Sequence, residues 1–196
     1  EAAVRIMAEN GATWTMGASV FLSDTLATLA QQQLRLPALR FFLCGGAPIP
    51  EDLVRRSLAQ GLRVLPVYGS TESPPHALVP PEAPLQDAWQ TDGKPLPGIE
   101  VRVLDDQLAA VPTGQAGEAW SRGPNTFIGY LGDEETTRRT IDAERWCRSG
   151  DLAVLRQGTD SRRAALVKVS LAGAVTAIGG LVGYFLVSHL EAWLTL

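Results

Sequence analysis

The sequence predicts an α/β protein: a parallel sheet with crossover helices, then a small β-rich subdomain, then a C-terminal hydrophobic helix. Three observations carry this. Helical and strand patterns alternate over residues 2–68, and such alternation lays crossover helices on a parallel sheet. Beyond residue 93 the pattern changes to short β-forming runs punctuated by glycine and proline. Residues 169–190 contain no Asp, Glu, Lys or Arg. The predicted units are an α/β part over 1–92, a β-rich part over 93–156, a linker over 157–165 and a hydrophobic segment over 166–196.

Residues 2–10 are helix-compatible, and Gly11 stands where a helix stops. Residues 13–16 are rich in β-formers and read as a buried strand before Gly17. Over 21–33, Leu22, Leu26, Leu29 and Ala30 keep helical spacing, with Ser23 and Asp24 near the start and Pro37 beyond the end. Residues 39–43, apolar except for Arg40, read as a strand that leads into a buried Cys44. The loop from Cys44 to Pro50 has little side-chain bulk. Pro50, Glu51 and Asp52 open the next helix, with proline in the first turn and acids at the positive end of the dipole. That helix carries Leu53, Val54 and Leu58, and Gly61 closes it. Residues 63–68 are the following strand.

Five prolines between residues 73 and 90 (Pro74, Pro75, Pro80, Pro81 and Pro84) predict a long surface excursion. His76, inside it, reads as a solvent-exposed loop histidine rather than a catalytic base. Residues 93–98 are a turn-rich lead-in to two short strands, 101–104 and 118–121. Asp133 caps a short helix that runs through Thr140.

The chain has 196 residues, 45% hydrophobic and 19% charged, enough for one core of ordinary size or one core with an appendage. A net charge of -4 gives no global attraction for nucleic acid or an anionic surface. Cys44 and Cys147 lie far apart and outside metal-ligand spacing, so they read as reduced thiols of a cytosolic protein. The chain starts at Glu1, directly in helical pattern, and reads as an excerpt.

The chemistry gathers on Val67-Tyr68-Gly69-Ser70-Thr71-Glu72, a strand end running into a glycine turn. Open α/β sheets bind ligands at the carboxyl ends of their strands. A Thr71 hydroxyl there can donate to a phosphate oxygen, Glu72 can hold Mg²⁺, and Tyr68 offers a flat face to a base. Gly45 and Gly46 let backbone approach a flat ligand. Both turns end neighbouring strands on one sheet edge, which makes a crevice.

In this order and spacing, the chain resembles the adenylate-forming enzymes: acyl- and aryl-CoA synthetases, luciferases and peptide-synthetase adenylation domains. The resemblance rests on Gly45-Gly46-Ala47-Pro48, Tyr68-Gly69-Ser70-Thr71-Glu72, Gly93-Lys94-Pro95-Leu96-Pro97-Gly98, Gly117-Glu118, Arg122-Gly123-Pro124, Gly129-Tyr130 and Trp146 with Ser149-Gly150-Asp151. It covers residues 2–155 and implies part of that family's large N-terminal domain, with 1–92 as its nucleotide-binding subdomain. It also implies that Gly45, Gly46 and Ala47 lie along adenine, that Tyr68 stacks on it, and that Gly69 borders nucleotide and acyl group alike. By the same resemblance, Thr71 bonds the α-phosphate, Glu72 holds Mg²⁺, Asp151 takes the ribose hydroxyls, and Trp14, Met16 and Gly17 line the acyl tunnel. The implied reaction is ATP-dependent: a fatty, alicyclic or aromatic carboxylate becomes acyl-AMP, and coenzyme A then displaces AMP.

Three departures qualify the resemblance. The family's upstream phosphate loop has no counterpart in the chain. No residue beyond Arg156 matches its hinge or its C-terminal lysine, so the expected object is a ligase fragment inactive by itself. Glu144-Arg145 stands where the family has Asp-Gly. A non-catalytic, membrane-tethered nucleotide- or acyl-binding module is the alternative. For residues 169–190, ten Val, Leu, Ile and Phe residues give roughly -3 to -6 kcal/mol for insertion over about the ~20 residues that cross a bilayer core. That run reads as a membrane anchor on a cytoplasmic enzyme, as a misjoined ending, or as a helix packed on a partner chain.

Overall fold

The computed structural model describes residues 1–156 and the backbone of residues 165–168. The elements in chain order are α1 (Ala2–Glu9), β1 (Trp14–Gly17), α2 (Ser19–Gln31), β2 (Phe41–Cys44), α3 (Glu51–Ala59), β3 (Arg63–Tyr68) and β4 (Ala77–Leu78). They continue with α4 (Asp87–Gln90), β5 (Lys94–Pro95), β6 (Glu100–Leu104), β7 (Ala116–Arg122), α5 (Glu134–Thr140), β8 (Cys147–Arg156) and β9 (Ala165–Lys168). One sheet has the order β1-β2-β3-β4-β5 and the other β6-β7-β8-β9.

The first sheet is mixed, not parallel throughout. β1, β2 and β3 run parallel, whereas β4 and β5 pair antiparallel. The reason is loop length. Residues 17–41 and 44–63 each hold a crossover helix, but only residues 69–76 separate β3 from β4. That link is too short for a crossover and long enough for a reversal.

Helices α2 and α3 cover one face of this sheet. Leu22 and Leu26 from α2, with Leu53 and Val54 from α3, pack on Phe42, Cys44 and Val64. Strand alternation explains which residues reach that core. Gly17 faces Phe21 and Phe42, so Trp14 and Met16 point to the opposite face. They are 59% and 57% exposed. The expected buried strand at 13–16 is therefore the sheet's edge strand, paired only with β2 among the described residues and with no fully buried residue.

The proline-rich stretch packs inward instead of looping out. Ser73, His76, Ala77, Val79 and Ala88 are each buried. Prolines prevent long elements but leave the remaining amides free to pair: His76 N donates to the Tyr68 carbonyl (2.9 Å) and Val79 N to the Pro66 carbonyl (3.0 Å). The expected surface histidine is accordingly an interior one.

The second sheet is antiparallel, with a register shift in β7 between Glu118 and Trp120. Val103, Ala119 and Ala153 from its inner face share a core with Tyr68 and Ala77 of the first sheet. Asp133 caps α5 as its sequence predicts, accepting from the Thr136 amide (2.9 Å). Arg145, at the position where the resembling family has glycine, has φ +68°, left-handed backbone that costs an L side chain roughly 1–2 kcal/mol.

Of the expected hydrophobic helix over 166–196, residues 166–168 run instead in strand β9, which pairs with β8. The extended pairing satisfies backbone groups across the sheet edge rather than along a helix. Residues 157–164, and with them all but the last residue of the expected linker, lie outside the described residues, as does the candidate membrane run 169–190. Among the described residues no helix is long and apolar enough to cross a membrane.

Candidate nucleotide site

β2 and β3 end side by side, Cys44 opposite Pro66, and their following loops leave the same sheet edge. Between them lies a hollow of about 80 Å³ bordered by Gly46, Ala47, Tyr68, Trp89 and Asp92. Local sterics fix the small residues. A Cβ on Gly45 would sit 2.8 Å from the Val67 side chain and carbonyl, and one on Gly69 would sit 2.8 Å from the Ser73 carbonyl and the Pro75 nitrogen. Both glycines are thus required by backbone crowding, before any ligand is considered.

Tyr68 is 8% exposed. Its hydroxyl donates to Asp151 Oδ2 at 2.8 Å, across 83 positions of sequence. Its ring meets His76 edge-on, with centroids 4.8 Å apart at 76°. Burial, opposed by a hydrogen bond with Ser149 and reinforced by the Asp151 charge, raises the phenol well above its ordinary value. Tyr68 is therefore a neutral, anchored ring that presents only its hollow-facing side. The turn that delivers Asp151 is shaped by Glu118, whose carboxylate accepts from Arg148 Nε (2.7 Å) and the Gly150 amide (3.1 Å). Gly150 has φ +73°, a conformation that favours glycine.

The Ser70–Ser73 turn is closed in both directions. Ser70 N donates to the Ser73 carbonyl (2.9 Å), and Ser73 N to Ser70 Oγ (3.2 Å). This leaves Thr71 exposed at the tip. Glu72 is gripped twice: its carbonyl accepts from the Phe127 amide (2.8 Å), and Oε1 from the Tyr130 hydroxyl (2.8 Å). That tyrosine bond, chiefly, holds the Glu72 carboxyl below its ordinary value against the effect of burial, with its own amide and Ser70 adding to it. An ionised carboxylate beside an exposed hydroxyl fits Mg²⁺, which binds through one or two carboxylates plus substrate phosphates. No group of three or more His, Cys, Asp or Glu side chains that could hold a metal ion occurs among the described residues.

Beneath this turn lies a buried polar cluster. Ser121 Oγ donates to Ser73 Oγ (2.9 Å), which lies 3.2 Å from His76 Nδ1. Burial pushes the His76 imidazole below its usual value, while the Ser73 backbone bond and the Asp151 charge oppose the shift.

The structure thus brings Gly45, Gly46, Ala47, Tyr68, Gly69, Thr71 and Glu72 to one edge and adds Asp151 from the second sheet. Gly17 joins them through its carbonyl, which accepts from the Gly45 amide (3.3 Å). Trp14 and Met16 do not border the Gly46–Tyr68 hollow. Met16 lines a separate, open cavity of about 560 Å³ with Thr15, Phe21 and Phe42. Sequence reasoning missed His76, Glu118, Tyr130 and Arg145 as organisers. Glu118 and Tyr130 carried a signal as part of the resemblance, in Gly117-Glu118 and Gly129-Tyr130, and Arg145 as a departure from it.

Comparison with known proteins bears on the family and the fold. The family described as AMP-binding enzyme matches residues 1–131. The medium-chain fatty-acid–CoA ligase of Escherichia coli (strain K12) is 44% identical over 152 residues, which is 78% of this chain and 27% of that protein. A feruloyl-CoA synthase from Amycolatopsis sp is 38% identical over 120 residues, 61% of this chain and 24% of that protein. The crystal structure of VinN superposes with a TM-score of 0.75 at 26% identity, covering 85% of this chain and 42% of VinN. The chain spans about a quarter of the length of these two curated relatives.

Proposed function

The chain belongs to the family of AMP-binding enzymes, and on that premise we propose that it carries the adenosine- and metal-binding part of an ATP-dependent acyl-CoA ligase. The observation that carries this reading is the Tyr68–Asp151 hydrogen bond. It supports the reading because it ties to Tyr68, which borders the hollow with Gly46 and Ala47, a carboxylate of the kind that accepts ribose hydroxyls.

In this reading Gly45, Gly46 and Ala47 lie along the adenine, and Tyr68 closes one side of it. Asp151 takes the ribose hydroxyls. Thr71 donates to the α-phosphate, where negative charge grows during attack by the carboxylate substrate. Glu72, kept anionic by Tyr130, holds Mg²⁺, which neutralises phosphate charge when bound. The whole enzyme joins a carboxylic acid to AMP with release of pyrophosphate, and coenzyme A thiol then displaces AMP. Likeness to a medium-chain fatty-acid ligase favours a fatty acid as the acyl donor.

Calorimetric titration of the full chain with ATP and Mg²⁺ tests the site. Asp151→Ala should weaken binding by about tenfold or more, the loss expected for hydrogen bonds to a charged group. Its thermal unfolding should stay cooperative. Equal affinity of the variant and the wild type would remove Asp151 from the site.

A further inference from the structure

Three described non-glycine residues have left-handed backbone, Gln33, Leu108 and Arg145, and of these Arg145 bonds to the segment that holds Glu72. Arg145 has φ +68°, and the turn around it is set independently of its side chain. Arg145 N donates to the Asp142 carbonyl (3.0 Å), and Asp142 Oδ1 accepts from the amides of Glu144 (2.9 Å) and Trp146 (2.8 Å). Glycine would occupy this position without strain. A strained backbone persists where its surroundings over-determine it, and such residues gather at functional sites. What an arginine adds here is its guanidinium. Nη2 donates to the Phe127 carbonyl at 2.8 Å and reaches the Thr126 carbonyl at 3.5 Å.

Phe127 leads directly to Glu72. Its amide donates to the Glu72 carbonyl (2.8 Å). Its ring lies edge-on to Tyr130, with centroids 4.9 Å apart at 71°, and Tyr130 in turn donates to Glu72 Oε1 (2.8 Å). One segment therefore grips Glu72 by backbone and by side chain, and Arg145 holds that segment from behind.

We propose that Arg145 is a positioning residue for Glu72: by clamping the carbonyls of residues 126 and 127, it fixes the segment that aims the carboxylate at the divalent cation accompanying the nucleotide. The inference rests on the reading of Glu72 as a metal ligand. Groups behind a metal ligand typically change metal affinity 10–100-fold when removed.

Two measurements on the full chain test it, using Arg145→Gly, which suits the backbone, and Arg145→Lys, which keeps one donor. The first needs no ligand. Amide hydrogen exchange at Phe127 should accelerate at least tenfold in R145G and less in R145K, with melting temperature little changed. Unaltered Phe127 exchange in R145G would overturn the clamp. The second is Mn²⁺ uptake in the presence of ATP, followed by electron paramagnetic resonance. R145G should bind Mn²⁺ about tenfold more weakly, while metal-free ATP affinity holds. Tyr130→Phe should shift Mn²⁺ affinity in the same direction. Equal Mn²⁺ affinity in wild type and R145G would overturn this inference alone. A wild type that takes up no Mn²⁺ with ATP would overturn the cation role together with the reading beneath it.

Discussion

At the scale of single residues, His76 shows how far local sequence misleads. Its neighbours Pro74, Pro75, Pro80 and Pro81 resemble a surface loop, yet His76 is 2% exposed. Its burial comes from contacts that local composition does not show: the Tyr68 ring, Ser73, whose hydroxyl is in turn bonded by Ser121 from the second sheet, and the backbone pairing that closes β3 on β4. The groups facing it are Ser73, the Tyr68 ring, and the more distant Asp151 charge. Burial, the largest effect, keeps it neutral in the folded state, with an affinity for protons below that of the unfolded chain. The unfolded chain then binds more protons just below about pH 6.5, the ordinary histidine value, so this residue's contribution is fully present above that pH and falls as pH drops through it. His76→Gln should be less stable than wild type at pH 7.5, and the gap should narrow as the pH is lowered toward 5. Urea unfolding at several pH values checks this; a gap independent of pH would show that the residue does not titrate between the two states.

At the scale of elements, the outer face of the second sheet carries a stack that only strand register assembles. Arg102 and Trp120 are directly paired between β6 and β7, and Arg148 pairs with Trp120 from β8. Arg102 lies 5.3 Å from the Trp120 ring centroid and 4.1 Å from that of Trp146. Arg122 lies 4.7 Å above Trp146, and Arg148 6.0 Å above Trp120. Arginines and indoles thus alternate, and Glu100, Asp142 and Glu118 pair with the three arginines. Exposed ion pairs contribute little, roughly 0–1 kcal/mol each. The partly buried guanidinium between two rings should contribute more, about 0.5–2 kcal/mol per cation–π contact. Arg102→Ala should therefore lower stability by roughly 1–3 kcal/mol, and Arg148→Ala, at the exposed end, by under about 1 kcal/mol. Chemical denaturation followed by tryptophan fluorescence should show a shifted midpoint with unchanged slope for Arg102→Ala. The sequence shows Glu118, Trp120 and Arg122 at alternate positions of β7, a pattern that does not say what lies beside them. Residues 102, 120, 122, 146 and 148 meet only through pairing and through the turn that returns Trp146 to the sheet.

At the scale of the whole molecule, what was legible depended on range. The six elements from α1 to β3 follow hydrophobic periodicity, helix caps and glycine stops, all of which act within a few residues, and their bounds fall within a few positions of the expected ones. The antiparallel β4 and β5 were not legible, because two-residue strands have no period to read. Of the site, Gly45, Gly46, Tyr68, Thr71, Glu72 and Asp151 were legible as a resemblance, whereas the clamps on them were not, since each joins segments tens of residues apart. The Tyr68–Asp151 bond spans that gap most directly, tying the end of β3 to β8 above the shared core of Tyr68, Ala77, Val103, Ala119 and Ala153. If it couples the two sheets as well as shaping the site, removing either partner should cost about as much as removing both. Tyr68→Phe, Asp151→Asn and the double variant form the cycle. A coupling energy of about 0.5–3 kcal/mol in unfolding is expected for contacting, hydrogen-bonded residues. On the proposed role of Asp151 at the ribose, ATP affinity should show coupling of the same sign, because the Tyr68 hydroxyl fixes the carboxylate that would receive it. Additive effects in both measurements would mean that the two residues merely lie near each other, and that the sheets are joined by their apolar contact alone.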